Sequence, residues 1–136
     1  MNLFKVFSVG ILVLAATQVK SQKTEQKTPD NPTKCSNIKE GKFVRSNYPE
    51  SIWYMTIKDN IQTEYLNNGK DYIKSTLVFV DDCNYKAIVM EKSDKTDPIQ
   101  VGEVFNNKVV ATQDDLLKVN IKIGNSEFNA VYVKVK

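Results

Sequence analysis

The chain has 136 residues, with 19 basic and 16 acidic side chains, two cysteines and no histidine. This length allows one ordinary domain. A hydrophobic content of 41% is typical of a globular protein rather than a disordered one. Because the sequence lacks histidine, it excludes Ser-His-Asp and Cys-His catalysis and His-ligated zinc.

The N-terminal residues have the pattern of a signal peptide. Lys5 precedes an apolar run over residues 6–16, which is shorter than the roughly 20 residues that a membrane-spanning helix needs. Small or modest side chains at 19–21 place the cleavage site before Gln22. We therefore predict a signal peptide over residues 1–21 and an exported protein, either periplasmic or extracellular, with an N-terminal membrane anchor as the alternative.

The mature chain carries almost no net charge. Cleavage removes Lys5 and Lys20, which leaves 17 basic against 16 acidic residues and a net charge of +1. Nucleic-acid binding needs a concentrated basic face, and the bidentate reading of bases favours arginine, of which the sequence has only Arg45. We therefore expect no nucleic-acid partner.

Residues 22–34 are polar, contain two prolines and include no large apolar side chain. Such a stretch buries too little surface to offset the entropy of ordering it, so it predicts a disordered polar leader. The folded domain then covers residues 35–136, which is large enough for one core.

Turn-forming residues recur at short intervals from Gly41 to the end of the chain. The runs between these clusters of Asn, Asp, Gly and Pro are rich in Val, Ile, Thr, Tyr and Phe, as strands are. Apolar and polar side chains alternate most clearly over 116–123, and no segment shows a sustained helical period. The predicted strands are 42–46, 51–58, 61–66, 71–80, 84–92, 99–105, 108–112, 116–123 and 127–135.

Short strands with such brief connections predict an all-β fold, an antiparallel up-and-down meander of eight or nine strands. A flat sheet of this kind would expose long edges, whereas closure into a small barrel removes them. A β-sandwich is the alternative. Sandwiches usually have longer crossover connections, and only residues 93–98 are a candidate for one.

Cys35 and Cys83 are the two cysteines of the sequence. An even, small number of cysteines in an exported chain favours a disulfide between them. A catalytic redox pair is disfavoured because no Cys-x-x-Cys pattern is present. Two free thiols are the remaining alternative.

Four short motifs follow one another with strands between them: Cys35, Gly41-Lys42-Phe43, Gln62-Thr63-Glu64 and Asp82-Cys83-Asn84-Tyr85. In this order they resemble a group of small exported lipocalin-like, or calycin-like, β-barrel proteins of Bacteroidetes-type bacteria. The resemblance covers about residues 35–90, and Phe43 stands where lipocalins have the Trp of a Gly-x-Trp motif. It implies a lipocalin-like barrel and export rather than an activity.

Aromatic side chains are the candidate ligand-binding residues. Trp53 and Tyr54 lie in the first predicted hairpin with Tyr65, and amphipathic aromatic rings suit a site with one wet end. The turn at residues 59–60 places Trp53 at the opposite end of that hairpin. We therefore predict that these aromatics surround a ligand mouth at the barrel rim, with a purely structural role in core and rim as the alternative.

Arg45 and Glu64 are the candidate charged pair of the same region. They fall on neighbouring or facing predicted strands, so a salt bridge at the rim is expected. A buried polar pair inside the barrel is the alternative.

The acidic clusters at 81–82, 94–97 and 114–115 are interpreted as turns, since none has the spaced oxygen pattern of a calcium loop. Without histidine, an enzyme would need convergent carboxylates, Lys or Tyr, and no spacing in the sequence indicates such a group. We therefore expect a protein that is not an enzyme and that has no metal and no cofactor.

Two functions are compatible with these features. A binding module would hold a small apolar ligand in a barrel interior with about 300 Å³ or more of free volume. An envelope or extracellular interaction module, for example an inhibitor, would instead use loops or an edge such as 99–112. Its core would be filled by Phe43, Phe79, Phe105 and Phe128. We expect the binding module, as a monomer without a membrane span.

Overall fold

The computed structural model describes residues 27–136, so the predicted signal peptide lies outside the described residues. Eight antiparallel strands follow one another along the chain, and each pairs with its neighbours in sequence. The last strand also pairs with the first, which closes the sheet into a barrel and confirms the predicted all-β up-and-down fold. The strands are β1 (Gly41–Arg45), β2 (Trp53–Lys58), β3 (Ile61–Leu66), β4 (Asp71–Phe79), β5 (Asn84–Lys92), β6 (Val104–Gln113), β7 (Leu116–Ile123) and β8 (Ser126–Val135).

The two strands predicted over 99–105 and 108–112 are a single strand in the structure, β6. Asn106 and Asn107 were expected to form a turn, but their backbones pair with β5 on one side and β7 on the other. Ladder pairing on both sides outweighs the local preference of asparagine for turns. The turn lies earlier, at Gly102, whose φ is +96° and whose N–H donates to the carbonyl of Val89 at 2.8 Å.

One end of the barrel, here called the closed end, is covered by a short 3-10 helix, Cys35–Ile38. Cys35 and Ile38 are buried in the same core cluster as Phe43. Lys134 of β8 donates to the carbonyl of Asn37 at 3.1 Å, and its ammonium group lies 5.9 Å from the centre of the Phe43 ring. The helix is therefore held in place both by apolar burial and by a hydrogen bond from the barrel wall.

Gly41 is required where β1 begins at the closed end. Its φ is +142°, and a Cβ atom added there would lie 2.8 Å from Cε of Lys134. A larger residue would displace the lysine that holds the 3-10 helix. This explains why glycine precedes Phe43 by two residues in the motif that the sequence shows.

A disulfide joins Cys35 to Cys83, as predicted, with their Cα atoms 5.0 Å apart. Cys83 lies in the connection between β4 and β5, so the bond attaches the 3-10 helix to that connection. The two residues are 48 positions apart in sequence, and the bond therefore closes a long loop.

Residues 27–34 contain no helix or strand, but part of this segment is attached to the end of β6. The Asp30 N–H donates to the carbonyl of Thr112 at 2.8 Å, and the Thr112 hydroxyl donates to the Asp30 carboxylate at 2.8 Å. The Lys34 N–H donates to the same hydroxyl at 2.9 Å. Residues 30–34 of the predicted leader are thus attached to β6 by hydrogen bonds to a buried threonine rather than by apolar contacts.

Within residues 27–136, no helix is long and apolar enough to cross a membrane.

Replacement of Cys35 and Cys83 by alanine should lower the free energy of unfolding by about 4 kcal/mol, because the unfolded chain regains the entropy of a loop of roughly 50 residues. Urea unfolding of the mature protein and of the double variant measures this difference. A reducing agent should lower the melting temperature of the wild type and leave that of the variant unchanged. Equal stability of the two proteins would contradict the prediction.

Candidate functional site

A cavity of about 170 Å³ lies inside the barrel at the end opposite the 3-10 helix, here called the open end. All eight strands contribute to its wall, because alternate side chains of each strand face inward. Phe128 is 44% exposed and lies at its mouth. The lining comprises five polar or charged residues (Arg45, Gln62, Glu64, Ser75, Asn107), four aromatic residues (Trp53, Phe105, Phe128, Tyr132) and three aliphatic residues (Ala87, Ile99, Ile121).

Trp53 contacts two other residues that line the barrel cavity, Glu64 and Tyr132. Its indole N–H donates to the carboxylate of Glu64 at 3.0 Å, and its ring stacks on Tyr132 with centroids 5.5 Å apart. Burial, together with the nearby charge of Glu64, raises the pKa of the Tyr132 hydroxyl, which therefore stays neutral. The structure thus places the predicted site residue Trp53 in the cavity wall, with its polar edge turned to an acid.

Tyr54 and Tyr65 lie outside the cavity. They are directly paired across β2 and β3, and their rings stack on the outer face of the barrel with centroids 4.6 Å apart. The ammonium group of Lys42 lies 4.7 Å from the centre of the Tyr54 ring. Trp53 and Tyr54 are consecutive on one strand and so face opposite sides of the sheet. The predicted grouping of these three aromatics around a mouth is therefore corrected: only Trp53 lines the cavity.

Glu64 is an acid inside the barrel. Its carboxylate accepts the Trp53 indole N–H and also an N–H of Gln62 at 3.4 Å. Burial raises the pKa of Glu64 above its usual value, while these two donors and the charge of Arg45 offset part of that rise. The ionised carboxylate is thus held in the fold at a cost in stability.

Arg45 lies over aromatic rings rather than against an acid. Its guanidinium carbon is 5.0 Å from the centre of the Tyr48 ring and 5.4 Å from that of Trp53. The ion pairs of 4.0 Å or less among residues 27–136 are Lys27–Asp114, Lys39–Asp82 and Lys42–Glu50.

The predicted rim salt bridge between Arg45 and Glu64 is therefore not formed as a direct contact. Arg45 lies over the face of the Trp53 ring, while Glu64 binds the N–H edge of the same indole. The two charges line one cavity, and each contacts a different part of the same indole.

Asn107 is the site residue that sequence reasoning missed. It is buried in the cavity wall, and its side-chain oxygen has no hydrogen-bond donor among the described residues. A buried acceptor without a partner costs about 1–3 kcal/mol. Asn107 occupies an alternate position of β6 between Phe105 and Val109, which is the signal of an inward-facing residue. The prediction of a break between strands at 106–107 hides this signal in the sequence.

The interior is filled at the closed end and free at the open end. Phe43 is fully buried and Phe79 packs against the core near the 3-10 helix, whereas Phe105 lines the cavity and Phe128 lies at its mouth. The cavity is smaller than the roughly 300 Å³ expected for a typical apolar-ligand pocket, and much of its lining is polar.

Among residues 27–136, no group of three or more Cys, Asp or Glu side chains is arranged to hold a metal ion. Two of the acidic clusters form turns through their side chains. Asp81 accepts the backbone N–H of Cys83 and of Asn84, and Asp94 accepts that of Thr96. Side-chain hydrogen bonds from Asn84 to Asp81 and from Thr96 to Asp94, together with these backbone donors, lower the pKa of both carboxyls.

No protein-family model matches the chain, no curated protein matches its sequence and no solved structure matches its fold. The class of protein is therefore defined by its own geometry. It is a closed antiparallel barrel of eight strands, with a disulfide-attached 3-10 helix at one end and a partly polar cavity at the other.

Glu64→Gln should change how stability depends on pH. Because the pKa of Glu64 in the folded protein lies above its usual value of 4.5, the folded state binds more protons than the unfolded state between these two values. The contribution of Glu64 to stability therefore falls as pH rises through this window. Glutamine can still accept the Trp53 N–H but cannot ionise, so the variant should gain melting temperature relative to the wild type from about pH 4.5 upward.

Asp81→Asn is a matched control, because the pKa of Asp81 is shifted in the opposite direction to that of Glu64. Because the pKa of Asp81 is lowered from 3.8, its stabilising contribution is lost as pH falls below that value. The difference between this variant and the wild type should be flat above about pH 4. Melting curves from pH 2.5 to 8 measure both effects, and a flat difference for Glu64→Gln would show that Glu64 titrates like an exposed carboxyl.

Proposed function

We propose that this protein is an exported, lipocalin-like binding protein that is not an enzyme and that holds one small amphipathic molecule at the open end of its barrel. The observation that carries the proposal is the uneven filling of the interior. Barrels of eight strands are either filled by side chains or just wide enough for one small ligand. Here the half near the 3-10 helix is packed, whereas the other half contains a cavity of about 170 Å³.

The volume of the cavity sets the size of the ligand. A dry cavity of about 150 Å³ accommodates benzene. On this scale the barrel cavity encloses about seven non-hydrogen atoms. A larger ligand would extend through the mouth past Phe128. The expected apolar ligand is thereby restricted to small molecules, and long-chain lipids are disfavoured.

The lining sets the chemistry of the ligand. Trp53, Phe105 and Phe128 offer aromatic surface, whose burial contributes about 25 cal/mol per Å². Glu64, beside Trp53, and Asn107, two residues after Phe105 on β6, offer hydrogen-bond acceptors in the same cavity. An amphipathic molecule with a ring or branched apolar group and a polar end fits this combination better than a purely apolar one.

Export is supported by the disulfide as well as by the predicted signal peptide. Disulfides persist in oxidising compartments such as the periplasm and the extracellular space, and they are rare where thiols are kept reduced. The bond between Cys35 and Cys83 fixes the 3-10 helix that closes the barrel, so it is part of the fold rather than an accessory.

An interaction module is the second candidate, and an apolar patch on the outer face favours it. Ile88 of β5 is paired with Val104 of β6, Val78 of β4 lies diagonally beside Ile88, and Met90 follows Ile88 by two residues on β5. Three of these four side chains are more than one-third exposed. The expected edge over residues 99–112 is not an edge, because β6 pairs on both sides. A partner would therefore dock on this outer face.

Ligand binding should be abolished by Ala87→Leu, which places a larger side chain in the cavity wall. Lys86→Leu is the matched control, because this neighbouring residue of β5 is exposed and faces outward. Trp53 is the only tryptophan, so its emission reports on the cavity. We expect 2-phenylethanol to change the emission of the wild type and of Lys86→Leu, but not that of Ala87→Leu.

Native mass spectrometry of the protein purified from its own host is the complementary measurement, with a retained small molecule as the expected result. If neither 2-phenylethanol nor L-phenylalanine, which has the same ring and a charged end, changes the emission of the wild type, and no small molecule is retained, the binding function is wrong and the interaction module is favoured.

A further inference from the structure

The barrel cavity contains two opposite charges that are kept apart. The Arg45 guanidinium lies over Trp53 and Tyr48, and the Glu64 carboxylate is bound by the Trp53 N–H, with no direct ion pair between the two charges. In a partly buried site, opposite charges that do not pair forgo a sizeable Coulombic attraction. A ligand with charges of its own would recover this attraction.

The cavity also has free hydrogen-bond donors at Arg45 and free hydrogen-bond acceptors at Glu64 and Asn107. Among residues 27–136, no side-chain hydrogen bond uses the five N–H donors of Arg45. The Asn107 oxygen is buried without a donor. Each Glu64 oxygen accepts one hydrogen bond and can accept another. The site therefore lacks an acceptor at Arg45 and lacks donors at Glu64 and Asn107.

The net charge of the lining also restricts the ligand. Arg45 and Glu64 are its two charged residues and cancel when both are ionised. An anion bound at Arg45 would face the Glu64 carboxylate, and a cation bound at Glu64 would face the guanidinium. A molecule that carries both charges avoids each of these repulsions.

Resting on the binding function proposed above, we propose that the ligand is a small zwitterion of the amino-acid type. Its carboxylate binds Arg45, its ammonium group binds Glu64 and Asn107, and its apolar side group lies against Phe105 and Phe128. Guanidinium and carboxylate have matching bidentate geometry, and an ammonium group supplies three donors for the acceptors on the other side.

The raised pKa of Glu64 agrees with this assignment. Burial raises it, and an ammonium group within hydrogen-bond distance is the kind of neighbour that lowers the pKa of a carboxyl again. A bound zwitterion would therefore stabilise the ionised form of Glu64, which burial disfavours.

Isothermal titration calorimetry with four related compounds tests the proposal on the mature protein. L-phenylalanine carries both charges, 3-phenylpropionate only the carboxylate, phenethylamine only the ammonium group, and 2-phenylethanol neither. We expect phenylalanine to bind at least about tenfold more tightly than each of the other three, which corresponds to about 1.4 kcal/mol.

Variants assign each charge to its residue. Glu64→Gln should weaken phenylalanine binding about tenfold or more and leave 3-phenylpropionate binding unchanged or tighter, because the acid that repels it is gone. Arg45→Gln should weaken phenylalanine binding and spare phenethylamine. Lys42→Gln and Glu50→Gln are matched controls, since this exposed ion pair lies outside the cavity, and neither should change affinity. Melting curves confirm that each variant is folded.

The outcomes separate the two proposals. Binding of 2-phenylethanol, phenethylamine or 3-phenylpropionate as tight as that of phenylalanine would overturn the zwitterion and leave the binding function in place. If none of the four compounds binds to the wild type, and no small molecule is retained from the host, both proposals fail.

Discussion

The pairing of β1 with β8 is the constraint on which the rest of the structure depends. Four residues of β1, Lys42 to Arg45, pair with residues 132–135 and join the first strand of the meander to the last. Without this contact the sheet would have two exposed edges, and its inner face would have no opposing wall to pack against. Because of it, every strand has one face turned to a common interior, and side chains far apart in sequence line the same space.

The short β1 also determines the difference between the two ends of the barrel. Its inward-facing residues are Phe43, which is fully buried near the 3-10 helix, and Arg45, which lies in the cavity wall. Two bonds reinforce the Phe43 end: the disulfide and the hydrogen bond from Lys134 to the 3-10 helix. At the Arg45 end the inward positions carry five polar or charged side chains among aromatic and aliphatic ones.

This division has a thermodynamic meaning. Packing and the disulfide at the closed end supply stability, while the open end keeps a carboxyl with a raised pKa and an amide oxygen without a donor. Apolar residues at Glu64 and Asn107 would fill the barrel at less cost. Groups that break the local rules of folding without a structural gain are expected at functional sites, because only binding or chemistry can make use of them.

The sequence by itself determined the fold class, the disulfide and most of the strands, because these depend on local signals. Strands and turns are indicated by patterns that span only a few neighbouring residues. Two cysteines, moreover, allow only one pairing. The sequence also indicated Trp53, Arg45 and Glu64 as residues of one region. It failed at Asn106 and Asn107, where pairing on both sides outweighs the turn preference.

Only the tertiary structure decided which of the indicated residues share the cavity. Tyr54 and Tyr65 are close to Trp53 in the hairpin but lie on the outer face, whereas Asn107 and Tyr132 come from distant strands and lie on the inner one. The tertiary structure also decided that Arg45 lies over the face of the Trp53 ring while Glu64 accepts its N–H, without a direct ion pair between the two charges. The physical reason is barrel closure. Alternation along a strand determines whether a side chain points inward or outward, but the register of all eight strands together determines which inward side chains are neighbours.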